Sequence, residues 1–209
     1  DMIADLDNSS TKVVANLPNP AGQGEYHCCG LVLGYVQSGK TTNFTAVIAK
    51  AADAGYRMFI VLSGIHDALR QQTQDRLNEQ LWEPNSNIWH RLTDEQDFRP
   101  TANVDALLST QRQCVLAVVK KNASRLRALR NWLFSARPEV LAACPVLIID
   151  DEADQATVNT AKPDRQPSRI NGLIRDIVNK VPKSAYVGYT ATPFANVLID
   201  PGDNEDLYP

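Results

Sequence analysis

The chain has 209 residues, of which 44% are hydrophobic and 22% are charged, and its formal net charge is −3. This composition excludes a largely disordered chain and a polycation that coats nucleic acid, so any nucleic-acid contact must be local. No apolar run approaches the roughly 18 residues that cross a bilayer and no basic-then-apolar leader opens the chain, so we expect a cytoplasmic protein without a membrane partner.

The first third of the chain predicts two strands around one helix. After a short helix at 10–17, the glycine-bounded apolar run 27–34 has the character of a buried strand. Apolar residues then recur at helical spacing over 44–52, and Gly55 stands where a left-handed residue ends a helix. Residues 58–62 predict the second strand.

The rest of the chain repeats this alternation of strands and helices. Further helices are predicted at 67–81, 126–133 and 170–178, and further strands at 114–119, 146–149 and 185–189. Five strands separated by crossovers long enough to be helical predict a parallel sheet with helices on both faces. The four cysteines lie in apolar runs without metal-ligand spacing, which indicates reduced core residues.

The segment Gly34-Tyr-Val-Gln-Ser-Gly39-Lys40-Thr41 fits the pattern of a phosphate-binding loop between a strand and a helix. Its glycines let backbone N–H groups approach phosphate oxygens, Lys40 reaches the outer phosphates, and the Thr41 hydroxyl can bind Mg²⁺. The cofactors predicted are therefore ATP and Mg²⁺. The predicted nucleotide-binding residues are Gly34, Gln37, Ser38, Gly39, Lys40, Thr41 and Thr42.

An acidic segment, 150–154, follows the strand 146–149 directly. Its carboxylates therefore emerge at the carboxyl edge of the sheet, where ligands bind in open α/β folds. We predict Asp151 as a second Mg²⁺ residue beside Thr41, and Glu152 as the base that activates water, acting with Lys40 in catalysis.

These two segments and a third one later in the chain together resemble a known family. Gly39-Lys-Thr41, Asp151-Glu-Ala-Asp154 and Thr190-Ala-Thr-Pro193 resemble motifs I, II and III of the superfamily 2 helicases and DNA translocases, in the same order. Their fuller surroundings are similar to the "Z-one" domain of proteins assigned as bacterial endonucleases, over about residues 10–209.

The resemblance implies a three-layer α/β fold, a RecA-like P-loop NTPase lobe that hydrolyses ATP. It implies that Thr190 and Thr192 couple the nucleotide to a DNA track, that Asp154 pairs with a second RecA-like lobe, and that this second lobe supplies an arginine finger. One lobe alone should then bind nucleotide but turn it over slowly. The implied domains are an N-terminal extension at 1–26, the lobe at 27–199 and a linker at 200–209.

Nucleic-acid contacts are implied by the same resemblance at Ser63, Lys120 and Lys121. Seven basic residues and no acidic one lie between Arg112 and Arg137, so contact with phosphates is one interpretation and a solvated helix face or a surface for another domain is the other. The leading hypothesis is an ATP-dependent DNA motor lobe in a restriction or defence setting. The alternative is an ATP-gated switch or scaffold that controls partner binding without translocation.

Overall fold

The computed structural model describes residues 1–34, 39–99, 102–110, 112–155 and 169–192. Six strands form one sheet in the order β1-β6-β5-β2-β4-β3, and every neighbouring pair is parallel. The strands are β1 (Tyr26–Leu33), β2 (Met58–Ser63), β3 (Trp89–Arg91), β4 (Cys114–Lys120), β5 (Val146–Asp151) and β6 (Lys183–Thr190).

Helices connect these strands across both faces of the sheet. The α-helices are α1 (Met2–Ala15), α2 (Lys40–Ala54), α3 (Asp67–Leu77), α4 (Val104–Leu108), α5 (Ala123–Leu133), α6 (Pro138–Ala142) and α7 (Arg169–Lys180). A π-helical turn, Asn78–Trp82, and a 3₁₀ turn, Glu83–Asn85, continue from α3.

The alternation of side chains along β2 explains the two helical layers. Met58, Ile60 and Leu62 belong to a core cluster packed by α5 and α7, whereas Phe59 and Val61 belong to a second cluster packed by α2. Successive side chains of a strand point to opposite faces, so a strand that is apolar throughout must be covered on both sides. The predicted three-layer parallel architecture is confirmed.

The strand registers align several strand ends at one edge of the sheet. Leu33 of β1 pairs with Thr190 of β6, and Asp151 of β5 pairs with Tyr189 of β6. The N–H of Gly34 donates to the Thr190 carbonyl at 3.0 Å, which extends the ladder one residue beyond β1. The segments after β1, β5 and β6 therefore leave the sheet side by side.

Several predicted elements differ from the observed ones. The N-terminal helix is longer and earlier than 10–17, β3 was not predicted, and the helix expected over 67–81 changes from α to π geometry at Asn78. Gly55 ends α2 with φ 117°, as predicted. The predicted linker at 200–209 lies outside the described residues. No helix among those described is long and apolar enough to cross a membrane.

Candidate nucleotide and metal site

Helix α2 begins at the end of the predicted phosphate-binding loop. Gly39 precedes its first residue, Lys40, with φ 77°, a left-handed conformation that glycine adopts without a Cβ penalty. The first N–H groups of a helix have no intrahelical partner and carry a partial positive charge, which suits an anion. Gln37 and Ser38, two predicted loop residues, lie outside the described residues.

The acidic segment turns sharply where β5 ends. Glu152 has φ 57°, the only positive φ of a non-glycine residue in the described part of the chain. The following Ala153 N–H donates to the Tyr189 carbonyl at 3.0 Å, so the turn stays fastened to the end of β6. A side chain in the left-handed region is uncommon and persists where surrounding contacts determine it.

One cleft brings the two segments together. Its volume is about 650 Å³, and Lys40 and Glu152 both line it. The other lining residues are Gly39, Thr41, Thr42, Arg76, Glu79, Gln80 and Asp151. Lys40 and Glu152, which are 112 positions apart in sequence, therefore line one cleft that has room for a nucleoside triphosphate. The cleft is lined by both cationic and anionic side chains.

Asp151 is the group in this cleft with the clearest electrostatic perturbation. Burial raises its pKa from 3.8 to about 6, and the adjacent Glu152 carboxylate adds to the rise, while Lys121 and Lys40 oppose it. A carboxyl whose ionised form is disfavoured by burial and by a neighbouring negative charge gains from a nearby cation. The cleft therefore has the donor chemistry that suits Mg²⁺, with the Thr41 hydroxyl as a further oxygen.

Lys121 lies inside the protein, not on a nucleic-acid surface. Its side chain is 0% exposed, and its ammonium donates to Asp150 Oδ1 at 2.8 Å and to the Glu152 carbonyl at 2.6 Å. The other Asp150 oxygen accepts from the Tyr186 hydroxyl at 2.8 Å. This arrangement corrects the prediction that Lys121 contacts a nucleic-acid backbone, because a buried and paired ammonium is not available to a phosphate.

The two remaining predicted nucleic-acid residues have different environments. Ser63, at the end of β2, is buried at 1% exposure, so it does not present its hydroxyl to a polynucleotide either. Lys120 is partly exposed and its ammonium lies 2.7 Å from Asp67 Oδ1 at the start of α3. Of the three, only Lys120 retains the exposure that a phosphate contact requires.

The basic block between Arg112 and Arg137 is largely neutralised by contacts within the protein. Lys120, Arg130 and Arg137 form ion pairs with acidic residues, and Arg125 donates to the Phe98 carbonyl at 3.2 Å. In the described residues, only Arg112 and Arg127 of this block are exposed without an ion-pair partner. Trp132 of α5 is buried, and its indole N–H donates to the Ala102 carbonyl at 2.8 Å. These contacts favour a structural interpretation for most of the block.

Thr190 and Thr192 meet Asp154 directly. The Thr190 hydroxyl donates to Asp154 Oδ1 at 2.7 Å, and the Thr192 hydroxyl donates to Oδ2 at 2.6 Å. The Thr192 N–H also donates to the Thr190 hydroxyl oxygen at 3.0 Å. Burial opposes ionisation of Asp154, but the two hydroxyl hydrogen bonds keep its pKa below the ordinary value. Asp154 therefore has hydrogen-bond partners within this chain, whereas the resemblance implies a partner in a second lobe.

Three lining residues were not predicted from the sequence. Arg76 is in the last turn of α3, and Glu79 and Gln80 belong to the π-helical turn after it. π-Helical turns are rare and often occur at functional sites. The polar composition of 67–81 did not indicate this position, because the packing of the π-helical turn against α2 brings this end of the helix to the cleft.

Comparison with known proteins supports the fold. No family model matches the chain, and no curated protein matches it. A solved structure of a nuclease-deletion mutant of the Type ISP restriction-modification enzyme LlaGI, in complex with a DNA substrate mimic, is similar over 96% of this chain with a TM-score of 0.50 and 14% identity. The described residues therefore share the three-layer α/β fold, with a parallel sheet between helices, of the matched part of that structure.

The matched region covers only 18% of the LlaGI chain, so this protein spans less than a fifth of that structure's length. A second structure, of Drosophila ORC bound to DNA, matches with a TM-score of 0.28 and 10% identity over 78% of this chain and 82% of that one. That score is too low to support an argument. At these identities the comparisons address the fold, and the resemblance to superfamily 2 and to the "Z-one" domain depends on the sequence motifs.

Proposed function

We propose that this chain is the ATP-binding and ATP-hydrolysing lobe of a DNA translocase or helicase-like protein that serves a restriction or defence endonuclease. The observation that carries the proposal is the shared cleft, in which Lys40 and Thr41 at the start of α2 face Asp151 and Glu152 at the end of β5. A phosphate-binding cation and an acidic pair that line one space can together catalyse phosphoanhydride hydrolysis.

The predicted site residues have roles that follow from their chemistry. Lys40 binds the outer phosphate oxygens, and the backbone around Gly34 and Gly39 follows the phosphate chain. Thr41 and Asp151 would hold Mg²⁺, which when bound would neutralise charge that develops on the phosphates. The Glu152 carboxylate orients the attacking water and accepts its proton. Gln37 and Ser38 complete the loop.

The DNA part of the proposal depends on the motifs and on chemistry at the same sheet edge. Thr190 and Thr192 are bonded to Asp154, two residues beyond Glu152, so a change at the base can reach the segment that the resemblance assigns to coupling. A second RecA-like lobe would close over the cleft and supply an arginine finger, an addition worth about a thousandfold or more in turnover in related enzymes.

The test is a steady-state ATPase assay on the full-length parent protein with both RecA-like lobes, with and without duplex and single-stranded DNA, over a range of salt concentrations. We expect turnover that increases with DNA, falls as salt screens the contact, and is lost in Glu152→Gln with ATP binding retained. Glu139→Gln, at an exposed position in α6, is the matched control. Slow turnover that no polynucleotide stimulates would instead support the ATP-gated switch.

A further inference from the structure

Glu152 is held at its backbone by a buried ammonium. Its carbonyl accepts from Lys121 Nζ at 2.6 Å and from the Gln155 N–H at 2.8 Å, and these bonds accompany the left-handed φ of 57°. Lys121 is anchored by Asp150 Oδ1 at 2.8 Å. Breaking a hydrogen bond from a buried charge is costly, because no water is present to replace the lost acceptor. Lys121, which directly follows β4, therefore fixes the direction in which the Glu152 side chain leaves the turn.

The Glu152 carboxylate lies against the carboxyl end of β2. A Cβ added to Gly64 would lie 2.8 Å from Glu152 Oε2 and 3.4 Å from Leu69 Cδ1. Oε2 is buried and has no hydrogen-bond partner among the described residues. The carboxylate thus occupies space that exists only because position 64 has no side chain.

The ends of β2 and β4 are themselves joined. The Lys121 N–H donates to the Ser63 carbonyl at 3.2 Å, one residue before Gly64. The strand ends that contact Glu152 at its carbonyl and at its carboxylate therefore move together. The two contacts form one support, made by residues that do not line the nucleotide cleft.

We propose that Lys121 and Gly64 are positioning residues that set where the Glu152 carboxylate stands against the nucleotide. The inference rests on the proposed function, since it takes Glu152 as the base. Lys121 fixes the backbone of the turn and Gly64 leaves the volume in which the carboxylate settles. A base displaced by about 1 Å can lose about a hundredfold in rate while substrate binding is unchanged.

Gly64→Ala is the most selective test. The added methyl meets the flexible end of Glu152, so the side chain can move aside without unfolding the protein. We expect kcat to fall by about tenfold to a hundredfold, with the KM for ATP and the melting temperature nearly unchanged. Gly172→Ala in α7, where an added Cβ meets no atom within 4 Å, is the control and should keep wild-type kcat.

Lys121 requires a paired change, because Lys121→Met alone leaves the Asp150 carboxylate buried without its cation. The double variant Lys121→Met with Asp150→Asn removes both charges and keeps an acceptor for the Tyr186 hydroxyl. We expect it to fold, to bind Mg²⁺-ATP with wild-type affinity, and to lose about tenfold or more in kcat. A purely structural role would lower the melting temperature and leave kcat of the folded protein unchanged.

The outcomes separate this inference from the proposed function. No DNA-stimulated ATPase activity in the wild-type full-length protein, which carries both RecA-like lobes, would overturn the proposed function itself. Wild-type activity that Gly64→Ala and the double variant both retain would overturn the positioning role and leave the proposed function standing. Loss of kcat in both variants, with unchanged affinity for Mg²⁺-ATP, would support it.

Discussion

Asp151 combines a predicted metal role with an electrostatic cost to the free protein. Burial is the main cause that raises its pKa from 3.8 to about 6, and the Glu152 carboxylate adds to it. A carboxyl whose folded pKa is raised binds its proton more tightly in the folded state than in the unfolded state. The protonated Asp151 carboxyl therefore gives its full stabilisation of the folded state below about pH 4. This stabilisation is lost as the pH increases through about 6.

Asp151→Asn should therefore stabilise the nucleotide-free protein at neutral pH while it abolishes hydrolysis. The carboxamide is isosteric and carries no charge to desolvate, so the gain is on the order of 2 kcal/mol at pH 7.5 and the melting temperature should increase by roughly 4–8 °C. At pH 4.5 the difference should shrink, because the wild-type carboxyl is then protonated. Thermal denaturation at the two pH values measures this, and an equal difference at both would contradict the account.

At the residue scale, the chemical roles of the site residues could be predicted from the sequence, but the burial of their neighbours could not. Lys40, Asp151 and Glu152 could be assigned because loop motifs between strands carry strong residue-type signals. The burial of Lys121 could not be predicted, because the sequence does not distinguish it from Lys120, the last residue of β4. Its burial depends on the packing of the β2 and β5 ends around it. Gly64 likewise has meaning only beside Glu152, 88 positions later.

Among the elements, the end of β6 is hydrogen-bonded to the turn after β5 through Asp154. Asp154 accepts one hydroxyl hydrogen bond from each of Thr190 and Thr192. A hydrogen bond to a charged acceptor contributes about 1.5–3 kcal/mol, so this network holds the turn after β5 against the turn after β6. Movement of one turn then favours movement of the other, which a coupling role requires.

Asp154→Ala should uncouple DNA from hydrolysis without preventing hydrolysis. Removal of the acceptor frees both threonine hydroxyls, while Lys40, Asp151 and Glu152 keep their own contacts. We expect basal ATPase activity and ATP affinity near wild type, with stimulation by duplex DNA reduced to nearly none. Asp53→Ala, at an exposed position in α2, is the control. Full DNA stimulation in Asp154→Ala would exclude this network from coupling.

Elements with a strong pattern were predicted well, and short or irregular ones were not. The apolar runs of β2, β4 and β5 and the stripe of α7 are long enough for the pattern to decide. Strand β3 has only three residues, Trp89–Arg91, and depends on its pairing with β4. The π-helical turn at Asn78–Trp82 continues the α3 sequence without a break, and its position at the cleft follows from tertiary packing.

For the whole molecule, the parallel sheet explains why the site could be anticipated. When all strands run in one direction, their carboxyl ends share one edge, so the phosphate-binding loop after β1 and the acidic turn after β5 must emerge on the same side. The strand order could not be predicted, because many orders satisfy the same crossover rules. The observed order places β6 between β1 and β5, which sets the width of the cleft between them.

Whether Lys40 and Glu152 act on one triphosphate can be seen in a crystal structure of the protein with Mg²⁺ and a non-hydrolysable ATP analogue. We expect the outer phosphates beside the Lys40 ammonium, Mg²⁺ bound by Thr41 and Asp151, and the Glu152 carboxylate facing the terminal phosphate. A triphosphate bound away from this cleft, or a Glu152 carboxylate directed away from the terminal phosphate, would contradict it.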